Sequence, residues 1–244
     1  MTRPVLLVAG GSRGIGASIS RLAGSRGYDV AVNYNSNEKA AQDVVAAINK
    51  SGGQALAIKG DMAKSAEIER VFDMAAKLGP VTHFVHSSGI TGAPSRLDDV
   101  SEKTVRDVLD VNTFGAIWSL RAAIKRMSTK NGGKGGSIVM ISSMAATLGG
   151  TGEYTWYAAA KAAVNTLVVG VAREVAKEGV RINALSPGLI ETEIHVPGRL
   201  ERIAPMVPVG RAGKPDEVAE TVLYLLSDAA SYMTGAVVNV SGGR

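Results

Sequence analysis

The sequence predicts one α/β domain, a doubly wound parallel sheet of about seven strands with helices on both faces. Three observations carry that expectation. Apolar runs suited to strands alternate with longer helical stretches from one end of the chain to the other, the pattern of right-handed crossovers between parallel strands. The first apolar run, Pro4 to Ala9, passes through a glycine-rich turn directly into an amphipathic segment. The 244 residues, 45% hydrophobic and 20% charged, suit a single globular unit spanning 1–244, large enough to bury most of its apolar surface.

The first strand, 5–9, is a short apolar run of the kind that a buried parallel strand requires. It stops at Gly10, and a helix near 14–26 begins inside the glycine turn. Further strands are expected at 29–34, 54–59, 82–87, 136–142, 181–186 and 236–240. Helices near 37–50, 65–77, 101–127, 154–178 and 215–227 separate them. Asn131 to Gly136 reads as a Gly-rich turn, and Tyr154 to Lys177, rich in Ala, Leu and Val and free of Pro, as a long helix. Gly188 to Gly213 holds three prolines and no clean period. An irregular segment of that length in a compact domain is usually functional, and beyond a strand's carboxyl end it reads as a substrate lid at about 188–213.

Two motifs point to chemistry. Strand, glycine turn and helix place Gly10, Gly14 and Gly16 where backbone can approach a pyrophosphate at a helix N-terminus. Tyr157 and Lys161, four apart in Tyr-Ala-Ala-Ala-Lys, share one helix face. An ammonium beside a tyrosine favours the phenolate, so the pair predicts a phenol pKa lowered toward the range of an acid/base catalyst.

With these motifs in order, the chain resembles the short-chain dehydrogenase/reductase family, a Rossmann-type fold, over nearly its whole length. Gly10, Gly14 and Gly16 match the family's Thr-Gly-x-x-x-Gly-x-Gly, with Ala9 in place of the Thr. Asp61 after the third strand, Asn112 in Val-Asn-Thr-Phe-Gly, Ser143 after the fifth strand, then Tyr157 and Lys161, follow in sequence. Pro187-Gly188 through Thr192 match Pro-Gly-x-x-x-Thr. One departure stands out: His86-Ser87-Ser88-Gly89 replaces the usual Asn-Asn-Ala-Gly, which alters the support of the central sheet and the local cofactor contacts.

The resemblance implies an oxidoreductase that interconverts a carbonyl and an alcohol. Tyr157 would be its acid/base, Lys161 would lower the tyrosine's pKa and hold the nicotinamide ribose, Ser143 would hydrogen-bond the substrate oxygen, and Asn112 would anchor a relay water. Cofactor contacts are expected from Gly10, Ser12, Arg13, Gly14, Ile15 and Gly16, from Asn33, Tyr34 and Asn35, and from Asp61, Met62, Ser88 and Gly89. Tyr157, Lys161, Pro187, Gly188, Ile190 and Thr192 complete the expected set. An enzyme using NAD usually ends its second strand with an acid for the ribose 2′-hydroxyl. Here Val32-Asn33-Tyr34-Asn35-Ser36 has none, and Arg13 can pair with a 2′-phosphate, so NADP(H) is favoured over NAD(H).

Substrate choice stays open between a 3-oxoacyl thioester on an acidic carrier protein and a sugar or polyol. A non-catalytic NADP(H) sensor on the same fold is the alternative of another class. The net charge of +5 raises nucleic acid as a partner, but pairs such as Arg173-Glu174 and Lys177-Glu178 interleave the signs, so none is expected. The exception is a basic run at Arg121, Lys125, Arg126, Lys130 and Lys134, suited to an acidic partner. There are no cysteines and no metal-ligand spacing, so no metal is expected. No apolar run reaches a membrane span, and the first strand begins too early to leave room for a signal peptide, so the expectation is cytoplasmic with no membrane contact. Ala158, Ala162, Val164, Leu167, Val168, Val171 and Val175 make the long helix apolar on several faces, so a face beyond the one on the sheet must be covered. The resemblance, whose members pair this helix across a two-fold, implies a homotetramer.

Overall fold

The computed structural model describes residues 3–244. Seven parallel strands, β1 (Val5–Ala9), β2 (Asp29–Tyr34), β3 (Ala55–Lys59), β4 (Val81–His86), β5 (Gly136–Ile141), β6 (Val180–Pro187) and β7 (Val237–Val240), form one sheet in the order β3-β2-β1-β4-β5-β6-β7. Helices α1 (Gly14–Ser25), α2 (Glu38–Lys50) and α9 (Pro215–Leu226) cover one face. The other face carries α3 (Ser65–Ala75), α5 (Gly115–Met127) and α7 (Thr155–Val175). Shorter helices α4 (Glu102–Leu109), α6 (Ala145–Leu148) and α8 (Arg199–Ile203) lie in the connections.

The period of two along each strand divides the core into two layers. In β1, Val5, Leu7 and Ala9 pack with Phe72, Phe84, Leu120 and Val164, whereas Leu6 and Val8 pack with Ile19, Val30, Ile48 and Val222 on the opposite face. Both faces are buried, which is why β1 tolerates no polar residue. Arg181 on β6 braces the carboxyl end of α9: its guanidinium donates to the carbonyls of Leu225 and Leu226 there and of Ser227 and Met233 just beyond it.

Three expectations need correction. The single helix expected over 101–127 is two helices joined by a π turn, Asp110–Phe114, in which the Gly115 N–H reaches back to Asp110 O. Aperiodic as its sequence is, the lid contains α8 and a small core of its own, Leu189, Ile203, Val207 and Ala212. Its prolines interrupt the helical period, so that core is invisible in the chain alone. The basic run also finds acids that sequence could not place: Arg121 and Arg126 pair with Glu69, and Arg126 with Asp73, all on α3. That engages two of the five basic side chains of the run.

His86, first residue of the unusual His-Ser-Ser-Gly segment, is buried at the carboxyl end of β4 beside Phe84. Neither of its ring nitrogens has a protein partner. Burial, with a smaller contribution from the Lys161 charge, pushes its pKa down to about 3. The unfolded chain therefore takes up a proton near the ordinary value of 6.5 that the folded chain refuses until about 3, so stability falls as pH drops through that window. The wild-type protein should lose unfolding free energy more steeply than His86→Asn when urea denaturation is repeated from neutral to mildly acid pH. Identical slopes for the two proteins would show that His86 does not drive this loss.

Candidate active site

The carboxyl ends of β1, β2, β4, β5 and β6 open onto one cavity of about 900 Å³. Its floor is the crevice between β1 and β4, where the strand order reverses and successive connections leave in opposite directions. The glycine turn forms one wall. Gly10 (φ 70°) and Gly14 (φ 49°) take left-handed conformations that suit glycine. A Cβ on Gly10 would sit 2.9 Å from Ser88 N, and one on Gly16 only 2.1 Å from Gly10 O. The main chain is thus stripped of side chains where a phosphate would meet the N-terminus of α1.

Asn33 fixes that turn. Its Oδ1 accepts from Gly10 N at 3.1 Å, while Nδ2 donates to Ile58 O and Gly60 O at 3.2 and 3.0 Å. Asn33 borders the cavity, but main-chain groups take up its polar atoms, so it braces three strands rather than offering them to a ligand. Gly10, Ser12, Arg13, Gly14, Ile15, Tyr34, Asn35, Asp61, Met62, Ser88 and Gly89 line the same cavity, as do Ser143, Tyr157, Lys161, Pro187, Gly188, Ile190 and Thr192. Gly16 and Asn112 do not border it. Gly16 lies inside the turn, and Asn112 is buried behind Gly89.

Tyr157 and Lys161 extend from α7 toward Ser143, just past the end of β5. Lys161 is almost fully buried, and its Nζ donates to Ile141 O at 2.9 Å. Burial lowers its pKa to about 8. Its Nζ stands 5.8 Å from the centre of the Tyr157 ring. The expected lowering of the Tyr157 pKa does not follow from this arrangement. Burial raises it, opposed by the neighbouring Ser143 hydroxyl and by the charge of Arg199, and the net direction is up. The phenol is accordingly a neutral donor at ordinary pH. Ser143 Oγ also accepts from Ala145 N at 3.1 Å, which fixes the hydroxyl at the start of α6.

The π turn presents Asn112 to the chain beyond β4. Its Oδ1 accepts from Ile90 N at 3.2 Å, and its Nδ2 donates to Ile90 O and Val108 O at 2.7 and 2.9 Å. With both amide protons engaged, Asn112 pins the 87–92 segment and is not free to donate to a water. A Cβ at Gly89 would approach Asn112 Oδ1 to 2.7 Å and Lys161 Nζ to 3.4 Å, so glycine there lets both groups close in.

Sequence reasoning missed one cluster. Glu153 Oε2 accepts from Arg199 Nε and Nη2 at 3.0 and 2.9 Å, Arg202 reaches the other carboxylate oxygen, and Arg199 lies over the Tyr154 ring. These partners tie the lid to the start of α7 across 46 residues, a separation no local pattern signals. Among the described residues, no group of three or more His, Asp or Glu is placed to hold a metal, and no helix is long and apolar enough to cross a membrane.

Residues 9–244 match the family model described as Enoyl-(Acyl carrier protein) reductase. The chain is 40% identical over 245 residues to "Uncharacterized oxidoreductase YgfF" of Escherichia coli (strain K12), covering 98% of this chain and 99% of that protein. It is 38% identical over 251 residues to "L-rhamnose 1-dehydrogenase (NAD(P)(+))" of Sphingomonas sp. (strain SKA58), covering 98% and 94%. The solved short-chain dehydrogenase/reductase from Serratia marcescens BCRC 10948 superposes with a TM-score of 0.91 at 30% identity, covering 98% of this chain and 97% of that one. Fold, cavity and relatives agree, and the chain belongs to the short-chain dehydrogenase/reductase family of oxidoreductases.

Proposed function

We propose that the protein is an NADP(H)-dependent oxidoreductase that interconverts a carbonyl and a secondary alcohol by hydride transfer, with Tyr157 as general acid/base. The observation that carries this reading is the convergence of Tyr157, Ser143 and Lys161 on one cavity whose other end is a glycine cradle. The cradle suits a dinucleotide, because a Cβ at Gly10 or Gly16 would fill it. A bound nicotinamide cofactor supplies the hydride in reduction and accepts it in oxidation.

The chain's own residues divide the remaining work. Tyr157, a neutral donor because burial raises its pKa, gives its proton to the carbonyl oxygen and recovers it in the reverse direction. Ser143, its Oγ fixed by the Ala145 N–H, donates its single proton to the same oxygen, where negative charge develops. Lys161 lies within the cavity as a hydrogen-bond donor for the ribose, anchored by Ile141 O and held close by Gly89 and Asn112. Asn112 acts through position, and any water it holds must be reached other than by its amide protons. Asp61, held by the Ala63 N–H at 3.0 Å, and Met62 border the adenine end.

NADP(H) is favoured at the end of β2. Tyr34, Asn35, Ser36 and Asn37 border the cavity there without a carboxylate, and Asp29 lies at the opposite end of the strand. Arg13 is exposed at the rim beside them, a forked cation for a 2′-phosphate. We also infer a cytoplasmic homotetramer. Phe114, Ile117 and Trp118 on the outer face of the π turn and α5 are exposed, and an apolar groove between α5 and α7 runs past Ile117, Val164 and Leu167.

Three measurements test these statements. Tyr157→Phe should bind NADPH nearly as well as wild type and lose turnover by a factor on the order of 10² or more; retention of most activity would remove Tyr157 from the acid/base role. Arg13→Ala should weaken NADPH more than NADH by roughly 1–3 kcal/mol in calorimetric titrations, and equal losses would place the 2′-phosphate elsewhere. Light scattering at micromolar concentration should give the mass of four chains, whereas a monomer mass would refute the assembly.

A further inference from the structure

The substrate end of the cavity combines open aliphatic side chains with charged side chains that pair with one another. Leu148, the last residue of α6, and Ile194 in the lid both line it, yet are 47% and 41% exposed. They come from two different segments, five residues past Ser143 and two past Thr192. Large aliphatic side chains left open at a concave site mark surface awaiting an apolar ligand.

The polar groups around them face one another. Arg199 donates to Glu153 through two nitrogens and to His195 Nδ1 at 3.1 Å, and its side chain is only 15% exposed. His195 donates from Nε2 to Ile190 O at 2.9 Å, which leaves Nδ1 as the acceptor that Arg199 uses. Thr91 Oγ1 donates to Gly92 O at 3.0 Å. A free sugar needs partners for several hydroxyls, and a site that recognises it leaves such partners open, because each unpaired buried polar group is costly. Apart from Ser143 and Tyr157, which serve the reacting oxygen, this end holds Arg199, Glu153, His195 and Thr91 in internal contacts.

We propose that the substrate carries an extended aliphatic or alicyclic group beside its carbonyl or alcohol carbon, seated against Leu148 and Ile194, and that these two side chains select it over free sugars. This rests on the carbonyl–alcohol reading above and names its substrate class. A straight acyl chain and a fused ring present the same saturated surface, so both sources remain arms of the test.

The experiment measures kcat/KM with NADPH for the straight-chain methyl ketones from butanone to octanone, for cyclohexanone and a decalone, and kcat/KM with NADP⁺ for glucose and rhamnose. Calorimetry on the enzyme–NADP⁺ complex with the matching alcohols runs alongside. Catalytic efficiency and affinity should each rise about threefold per methylene, and Leu148→Ser and Ile194→Ser should each flatten that increment. A steeper rise for the ring series than for the chains identifies the alicyclic source, and the opposite order the acyl source. Sugars handled more efficiently than any ketone, or an increment unchanged in both variants, overturn the proposal. Chain-length-dependent binding without turnover sinks the hydride-transfer reading while upholding the apolar subsite. Binding independent of chain length sinks the subsite even where butanone is reduced.

Discussion

How closely main chain can approach main chain at the carboxyl edge of the sheet governs the whole site. The carbonyl of Gly10 lies where a Cβ at Gly16 would be, the Ser88 amide lies against Gly10, and Gly89 stands between Asn112 and Lys161. Any side chain at these positions would push α1 from β1, or the segment after β4 from the glycine turn. Because those separations set the width of the crevice at the strand reversal, the cradle for phosphates and the seat of Lys161 are two ends of one steric constraint. Asn33 adds the polar half of it by tying the glycine turn to β3.

Burial at the same edge sets the protonation states. Lys161, with Ile141 O as its hydrogen-bond partner, loses solvation, and its pKa falls to about 8. Tyr157 moves the other way for the same reason, since the charged form of a phenol is the anion. His86, beneath them in β4, stays neutral. The site thereby keeps its phenol protonated and its histidine uncharged. Arg199 contributes its positive charge from the 188–213 segment and so opposes part of the rise that burial imposes on Tyr157.

The lid is held by Glu153 and sealed by a small apolar core of its own. Its ion pair is partly shielded and uses two guanidinium nitrogens, which makes it more than a solvated surface contact. The 188–213 segment and α7 therefore meet beside Tyr154, three residues from Tyr157.

The sequence by itself determined the alternating architecture, the glycine cradle and the Ser143, Tyr157 and Lys161 set, because each is written in local periodicity or in short spacings that secondary structure translates directly into proximity. The absence of an acid after β2 and the presence of Arg13 were legible for the same reason. Only the tertiary structure decided the rest. The π turn at Asn112 arises from contacts with Ile90 and Val108, and the 101–127 stretch carries no local signal for it. Two arginines of the basic run found acids on α3 about fifty residues away, and the 188–213 segment found its anchor at Glu153 across a similar distance. The sign of the Tyr157 shift also escaped the sequence, since spacing shows that Lys161 is near but not how much water the fold removes from the phenol.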